Sequence, residues 1–171
     1  PNGLFADRIT PEVAGAMRAM GVATLRLSLE TTNANRLAQW NRRPRLAEFT
    51  AAVRALQAVG YSREQIGVYL LCGAPGQTME EIRESVEFVL ALGASPRLAE
   101  YSPIPGAPEW EPARALTPLP LGEEPLYHNN SVFYRLAGAI DPGALEALKN
   151  EITRRLESAR ATGAASESGA C

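Results

Sequence analysis

The stretch Ile66–Cys72 is nearly continuous in apolar residues and stops at Gly73-Ala74-Pro75-Gly76-Gln77-Thr78. A short apolar run bounded by turn residues reads as a strand buried on both faces of a parallel sheet. The glycines and proline give tight, preset backbone where such a strand ends. Parallel strands need long crossovers, usually helices. One strand therefore constrains the segments on both sides of it.

Those segments comply. Thr10-Pro11-Glu12 opens a helix with a hydroxyl cap, a proline at the first position and an acid at the positive end. Val13, Met17 and Met20 recur at helical spacing, and Gly21 ends the helix. Over 22–30, Leu25, Leu27 and Leu29 alternate with Arg26, Ser28 and Glu30, the pattern of a strand. A short helix over 34–41 and a longer one over 46–59 follow. Leu46, Phe49, Val53 and Leu56 form the stripe of the longer one, and Gly60 stops it. Thr78-Met79-Glu80-Glu81 matches a capping box. The helix it starts carries Ile82, Val86 and Val89 inward and ends at Gly93. Residues 97–101 read as a third strand. Helices and strands alternate throughout, so the class is α/β with parallel strands.

After Ser102 the character changes. Residues 103–125 are proline-rich and read as irregular, and 126–138 as a short helix. Asp141-Pro142 starts a last helix with Leu145, Leu148, Ile152 and Leu156 on its apolar face. The chain divides into a barrel portion over 1–106, a linker over 107–125, a helical extension over 126–158 and a disordered tail over 159–171. Three strands are too few for a closed barrel of about eight. They leave edges that need cover. Pro1-Asn2-Gly3-Leu4 reads as a turn leaving a strand, so the expectation is an excerpt of a longer barrel.

Composition narrows the function. Seventeen basic against 19 acidic residues give a net charge of −2, which removes the electrostatic case for nucleic acid or an anionic membrane as partner. No apolar run approaches the roughly 20 residues that span a bilayer. No secretory pattern opens the chain. Cys72 and Cys171 are too few and too far apart for a disulfide framework. A cytoplasmic location is the default expectation.

Arg26, Ser28 and Glu30 place three polar side chains on one face of an apolar strand. Such a face is unfavourable to bury without partners. A barrel interior opening to a polar ligand solves that. An internal Arg–Glu pair or an exposed edge strand solves it too. The 73–78 loop admits a ligand to the backbone, or is simply a tight turn; it lacks the Lys-Ser/Thr of a phosphate loop. Ser102-Pro103-Ile104-Pro105-Gly106 presents a stiff backbone to a ring, or is a chain leaving the sheet. Cys72 reads as a small buried hydrophobe. Cys171 has no assigned role. His128, the only histidine, makes no metal site alone, and a structural use is favoured over an acid, base or cap.

Together these segments resemble the second half of a radical S-adenosylmethionine (radical SAM) protein. The resemblance runs from Pro1 to about Gly106, and more loosely through Tyr134. It is carried by Pro1-Asn2-Gly3-Leu4, by Arg26-Leu27-Ser28-Leu29-Glu30-Thr31, by Val68 through Thr78, and by Tyr101-Ser102-Pro103-Ile104-Pro105-Gly106. Leu126-Tyr127-His128-Asn129-Asn130 resembles a stretch found after the barrel in some members. The resemblance implies a partial (β/α)6 barrel with S-adenosylmethionine (SAM) across the strand ends, bound to a [4Fe–4S] cluster. By family pattern, Ser28 and Glu30 match the strand position at the ribose or methionine end, with Arg26 as a carboxylate partner. Gly73, Pro75 and Gly76 match the loop after the fifth strand. Tyr101, Ser102, Pro103, Ile104 and Pro105 match the segment near the adenine. The implied reaction is reductive cleavage of SAM to a 5′-deoxyadenosyl radical that takes hydrogen from a small-molecule substrate.

The family's Cys-x3-Cys-x2-Cys loop is absent from the sequence, and such clusters need thiolates. The expectation is that an N-terminal half of the barrel supplies the cluster ligands, and that this chain alone is inactive. Gln77 stands where an acid is commoner. The style resembles members that carry cobalamin, which would widen the chemistry. Two alternatives remain: a cluster-less remnant acting as a binding module, and half of a non-radical β/α barrel. The only lysine, Lys149, lies in the last helix and counts against Schiff-base chemistry in the latter.

Overall fold

The computed structural model describes residues 3–40, 46–137 and 140–168. The elements in chain order are α1 (Pro11–Ala19), β1 (Leu25–Glu30), α2 (Ala34–Gln39), α3 (Leu46–Ala58), β2 (Ile66–Cys72), α4 (Met79–Ala91) and β3 (Ser95–Glu100). Then follow α5 (Trp110–Leu116), α6 (Asn130–Leu136) and α7 (Pro142–Ser168). The three strands form one sheet in the order β1-β2-β3, with both neighbouring pairs parallel.

Capping residues set the helix starts. The Thr10 hydroxyl accepts from the Val13 amide at 3.3 Å, with Pro11 inside the first turn. Asn33 does the same for α2 and Thr78 for α4. The box at Thr78 is only half formed. Thr78 caps the Glu81 amide, but the Glu81 side chain turns away to bond Arg36 and Thr31. A charged partner outcompetes a neutral backbone amide.

One face of the sheet is the core. Leu25, Leu27, Leu29, Val68, Leu70 and Cys72 are buried there. They pack in one cluster with Ala14 of α1, Phe49, Val53 and Leu56 of α3, Ile82, Val86 and Val89 of α4, and Leu145, Leu148 and Ile152 of α7. Each fully buried leucine contributes roughly 1.5–3 kcal/mol. The other face carries Arg26, Ser28, Glu30, Tyr69, Leu71 and Ala99, all only half-buried, and Arg97, which is exposed. Helices on one side of a parallel sheet make an arc of a barrel. The expectation that β2 is buried on both faces is therefore corrected: Tyr69 and Leu71 lie on the open face. A smaller cluster of Ala74, Tyr101, Ala113, Leu121 and Phe133 closes over the carboxyl ends of the strands.

Other boundaries shift. β3 begins at Ser95, and Pro96 is tolerated because β3 is an edge strand. It ends at Glu100, although the Tyr101 amide still donates to the Cys72 carbonyl at 2.8 Å. The stretch read as an irregular linker holds α5, whose Pro112 sits in the first turn, where no amide partner is needed. Residues 126–138 give a 3-10 turn, Pro125–His128, and then α6. The last helix continues past 158 to Ser168, into the stretch read as a disordered tail. Pro1, Asn2, Asn41, Gly138 and Cys171 lie outside the described residues. Leu4 pairs in parallel with Leu27, on the free edge of β1. No helix among the described residues is long and apolar enough to cross a membrane.

Candidate functional site

The open face leads to a cavity of about 330 Å³ at the carboxyl ends of the strands. Ser28 and Glu30 from β1 line it, with Tyr69 and Leu71 from β2 and Ala99 and Glu100 from β3. Tyr101, Ser102, Ile104, Ala107, Pro108 and Glu109 follow β3 and form a second wall, and Trp40 closes the edge. Among the described lining residues the charged side chains are carboxylates, at Glu30, Glu100 and Glu109.

Glu30 has the least ordinary backbone. Its φ is 70°, the one positive value among the described non-glycine residues. The Thr31 amide bonds the Leu29 carbonyl at 2.9 Å. That bond around a positive-φ centre makes a γ-turn of the rare, strained kind. Pairing with β2 slips at the same place, so Glu30 sits opposite Leu70. The conformation is unfavourable by about 1–3 kcal/mol for a residue with a Cβ. It ends the strand and leaves Glu30 on the cavity wall.

Ser28 accepts from the Gly3 amide at 3.2 Å. Tyr101 is buried, its ring edge-on to Phe133 at 5.5 Å, and its hydroxyl reaches the Glu109 carbonyl at 3.4 Å. Burial, then nearby Glu109, pushes its phenol up to about 12, so it stays protonated. The Ser102 hydroxyl donates to the His128 carbonyl. The Trp40 indole N–H donates to Glu109 Oε1 at 2.6 Å. Glu100 is held from behind by Lys149 Nζ of α7 at 2.6 Å. Burial alone would lower the Lys149 ammonium, but its bonds to Glu100 and Glu146 outweigh that and raise it.

The structure thus brings Ser28, Glu30, Tyr101, Ser102 and Ile104 together on one cavity. It does not bring Arg26 there. Arg26 lies at the opposite end of β1, bonded to the Leu25 carbonyl, with its stem across Gly67. A Cβ on Gly67 would meet Arg26 Cδ at 2.7 Å, so the glycine makes room for it. Gly73, Pro75 and Gly76 shape the neighbouring loop rather than this cavity. Gly73, at φ 85°, passes so close to Tyr134 that an added Cβ would lie 3.0 Å from Tyr134 Cβ. The Pro75 and Gly76 carbonyls both accept from Arg36. Pro103 is buried and Pro105 exposed, both outside the lining.

Sequence reasoning missed Trp40, Tyr69 and Glu109 in the wall, and Arg36 and Glu81 behind it. Glu81 and Ser85 recur four apart beside the apolar stripe of α4, which marks a buried polar seam. His128 is structural: its Nε2 donates to the Leu121 carbonyl at 2.5 Å and its ring meets Trp110 edge-on at 5.2 Å. Cys72 lies on the covered face, where burial, then Glu100, pushes its thiol up to about 12. Among the described residues no three His, Cys, Asp or Glu side chains converge as metal ligands.

Comparison with known proteins bears on this geometry. The chain is 29% identical over 93 residues to a GTP 3′,8-cyclase of Ectopseudomonas mendocina, covering 54% of this chain and 27% of that protein. It is 27% identical over 110 residues to GTP 3′,8-cyclase 1 of Mycobacterium tuberculosis, covering 64% of this chain and 28% of that protein. The matched region is thus little more than a quarter of the length of these curated relatives. Among solved structures, coproporphyrinogen III oxidase (HemN) from Escherichia coli, a radical SAM enzyme, aligns with a TM-score of 0.55 at 19% identity. That alignment covers 64% of this chain and 25% of that one, and it supports the partial-barrel fold. The sequence model of the radical SAM superfamily matches residues 2–89, just over half of the 171 residues and the segment that holds β1, β2 and the loops after them. The chain belongs to the radical SAM superfamily.

Proposed function

We propose that this chain supplies the SAM-gripping strand ends of a radical SAM enzyme, with the cavity beside Glu30 receiving the adenosyl portion of the cofactor. The observation that carries this reading is the γ-turn at Glu30. A strained backbone persists where the surroundings hold it, and such outliers gather at ligand sites. The volume of about 330 Å³ is at the small end for ligand sites, in keeping with part of the cofactor rather than all of it.

The lining fits the group. The adenosyl portion joins the rest of SAM at a sulfonium, and the charged side chains among the described residues of the wall are acids. The Glu30 carboxylate accepts from ribose hydroxyls in this reading, and Ser28 adds a hydroxyl. Trp40, Tyr69 and Tyr101 supply aromatic surface that attracts cations. Ile104 offers an apolar contact to the base. Tyr101, protonated across the physiological range, adds no charge to the wall.

In this superfamily the bound cofactor yields a 5′-deoxyadenosyl radical on reduction at a [4Fe–4S] cluster. The described residues do not fit that cluster, because Cys72 is turned into the core and no other ligand set converges. Its thiolates, and the rest of the barrel, are proposed to come from outside this chain, which alone would be inactive. The comparisons give cobalamin no support. The substrate is proposed only as a small molecule.

Calorimetric titration of SAM into the protein as encoded tests the reading. Glu30→Ala should weaken binding about tenfold, the loss expected for one charge-assisted hydrogen bond. An unchanged affinity, or no binding by the parent protein, would overturn the assignment.

A further inference from the structure

The contacts that this reading leaves unused converge on one ion pair. Arg36 of α2 and Glu81 in the first turn of α4 meet at 2.6 Å between Nε and Oε1, with side chains 11% and 8% exposed. A second arm, Nη2 to Oε2 at 3.0 Å, makes the pair a two-pronged fork. A buried pair of this kind adds little stability over an apolar one, because desolvation offsets the attraction. Its other contacts are the informative part.

Glu81 Oε1 also accepts from the Thr31 hydroxyl at 3.2 Å. Thr31 closes the γ-turn around Glu30, so the loop after β1 is held. Arg36 Nη1 donates to the Pro75 carbonyl at 3.0 Å and Nη2 to the Gly76 carbonyl at 2.9 Å. That holds the loop after β2. The guanidinium lies 5.6 Å from the centre of the Trp40 ring, and Trp40 bonds Glu109 in the segment after β3. A single pair reaches the loop that follows each of the three strands.

We propose that Arg36 and Glu81 are positioning residues, a buried clamp that sets Glu30, Trp40 and Glu109 around one ligand without touching it. The proposal rests on the cavity being the SAM site only for the identity of that ligand. A pair that merely joined α2 to α4 would leave the cavity wall unchanged when weakened.

The test uses Arg36→Lys, which keeps the charge and loses the fork. In the ligand-free protein as encoded, nitrogen–proton NMR reads the backbone amides of Glu30 and Glu109. Calorimetry reads SAM affinity for the parent, Arg36→Lys, Glu30→Ala and the double variant. Both amides should move while circular dichroism stays constant, and affinity should fall about tenfold. The double variant should lose less than the product of the two single losses, because Arg36 acts through the placement of Glu30. Where Arg36→Lys does not fold, Glu81→Gln gives the same readings with the shape retained. A folded variant whose two amides stay in place overturns the clamp, as do losses that multiply. Amides that move in a protein whose parent form does not bind SAM support the clamp and sink the cavity reading instead.

Discussion

On one face of this sheet, every second residue of β1 is a leucine sealed under helices; on the other, Arg26, Ser28 and Glu30 occupy the alternate positions and stay half-buried. The same backbone serves two solvents. The covered face is apolar and closely covered, and the Cys72 thiol on it is buried. The open face is polar, and strain concentrates at its carboxyl end. Stability should therefore follow the first face and ligand affinity the second.

The largest expected effect falls on the covered face. Leu70 is central in the sheet and fully buried. Leu70→Ala should lower unfolding free energy by about 3 kcal/mol, read from denaturant midpoints. SAM affinity of the folded fraction should not change. A parallel loss of affinity would break the division between the faces.

Glu30→Gly and Glu30→Ala separate the two properties. Both remove the carboxylate, so both should weaken SAM binding, but glycine accepts a φ of 70° without a Cβ clash, so the glycine variant should be about 1 kcal/mol the more stable of the two. Thermal melts and calorimetry on the same samples check both. Equal stability of the two variants would show that the turn carries no backbone strain.

The smallest effect concerns a contact that joins the faces. Lys149 reaches from α7 to Glu100, with the two side chains 31% and 21% exposed. Lys149→Met should remove about 0.5 kcal/mol, the scale of a partly exposed pair. The raised folded value of Lys149 gives the sign. Its contribution is full at neutral pH and fades only as pH climbs past about 10.5, the ordinary lysine value, toward the higher folded one. Stability curves of parent and variant should run parallel at neutral pH and converge in that alkaline range. Convergence on acidification toward neutrality would contradict the pairing.

Much of this division is legible in the sequence. Leucine alternation marks β1, and the unbroken apolar run marks β2, because side-chain period follows directly from backbone geometry. The run hides which face is open, since Tyr69 and Leu71 look as apolar as Val68 and Leu70. Local chemistry also misassigns Glu81. Its spacing from Thr78 fits a cap, and only the fold reveals Arg36 from another helix as the stronger partner. Trp40 and Glu109 are 69 residues apart in the chain and meet only through tertiary packing. That Ser28, Glu30, Tyr101, Ser102 and Ile104 line one cavity is legible because they sit at strand ends, where α/β folds place their ligands.

Gly67 and Arg26 give the open face a direction. The arginine stem lies across the glycine, so part of the amino-terminal end of this face is covered by a side chain of the chain itself, while the cavity opens at the carboxyl end. The two ends of one polar stripe thus differ in what they leave room for: a residue of this chain at the first, a small molecule at the second.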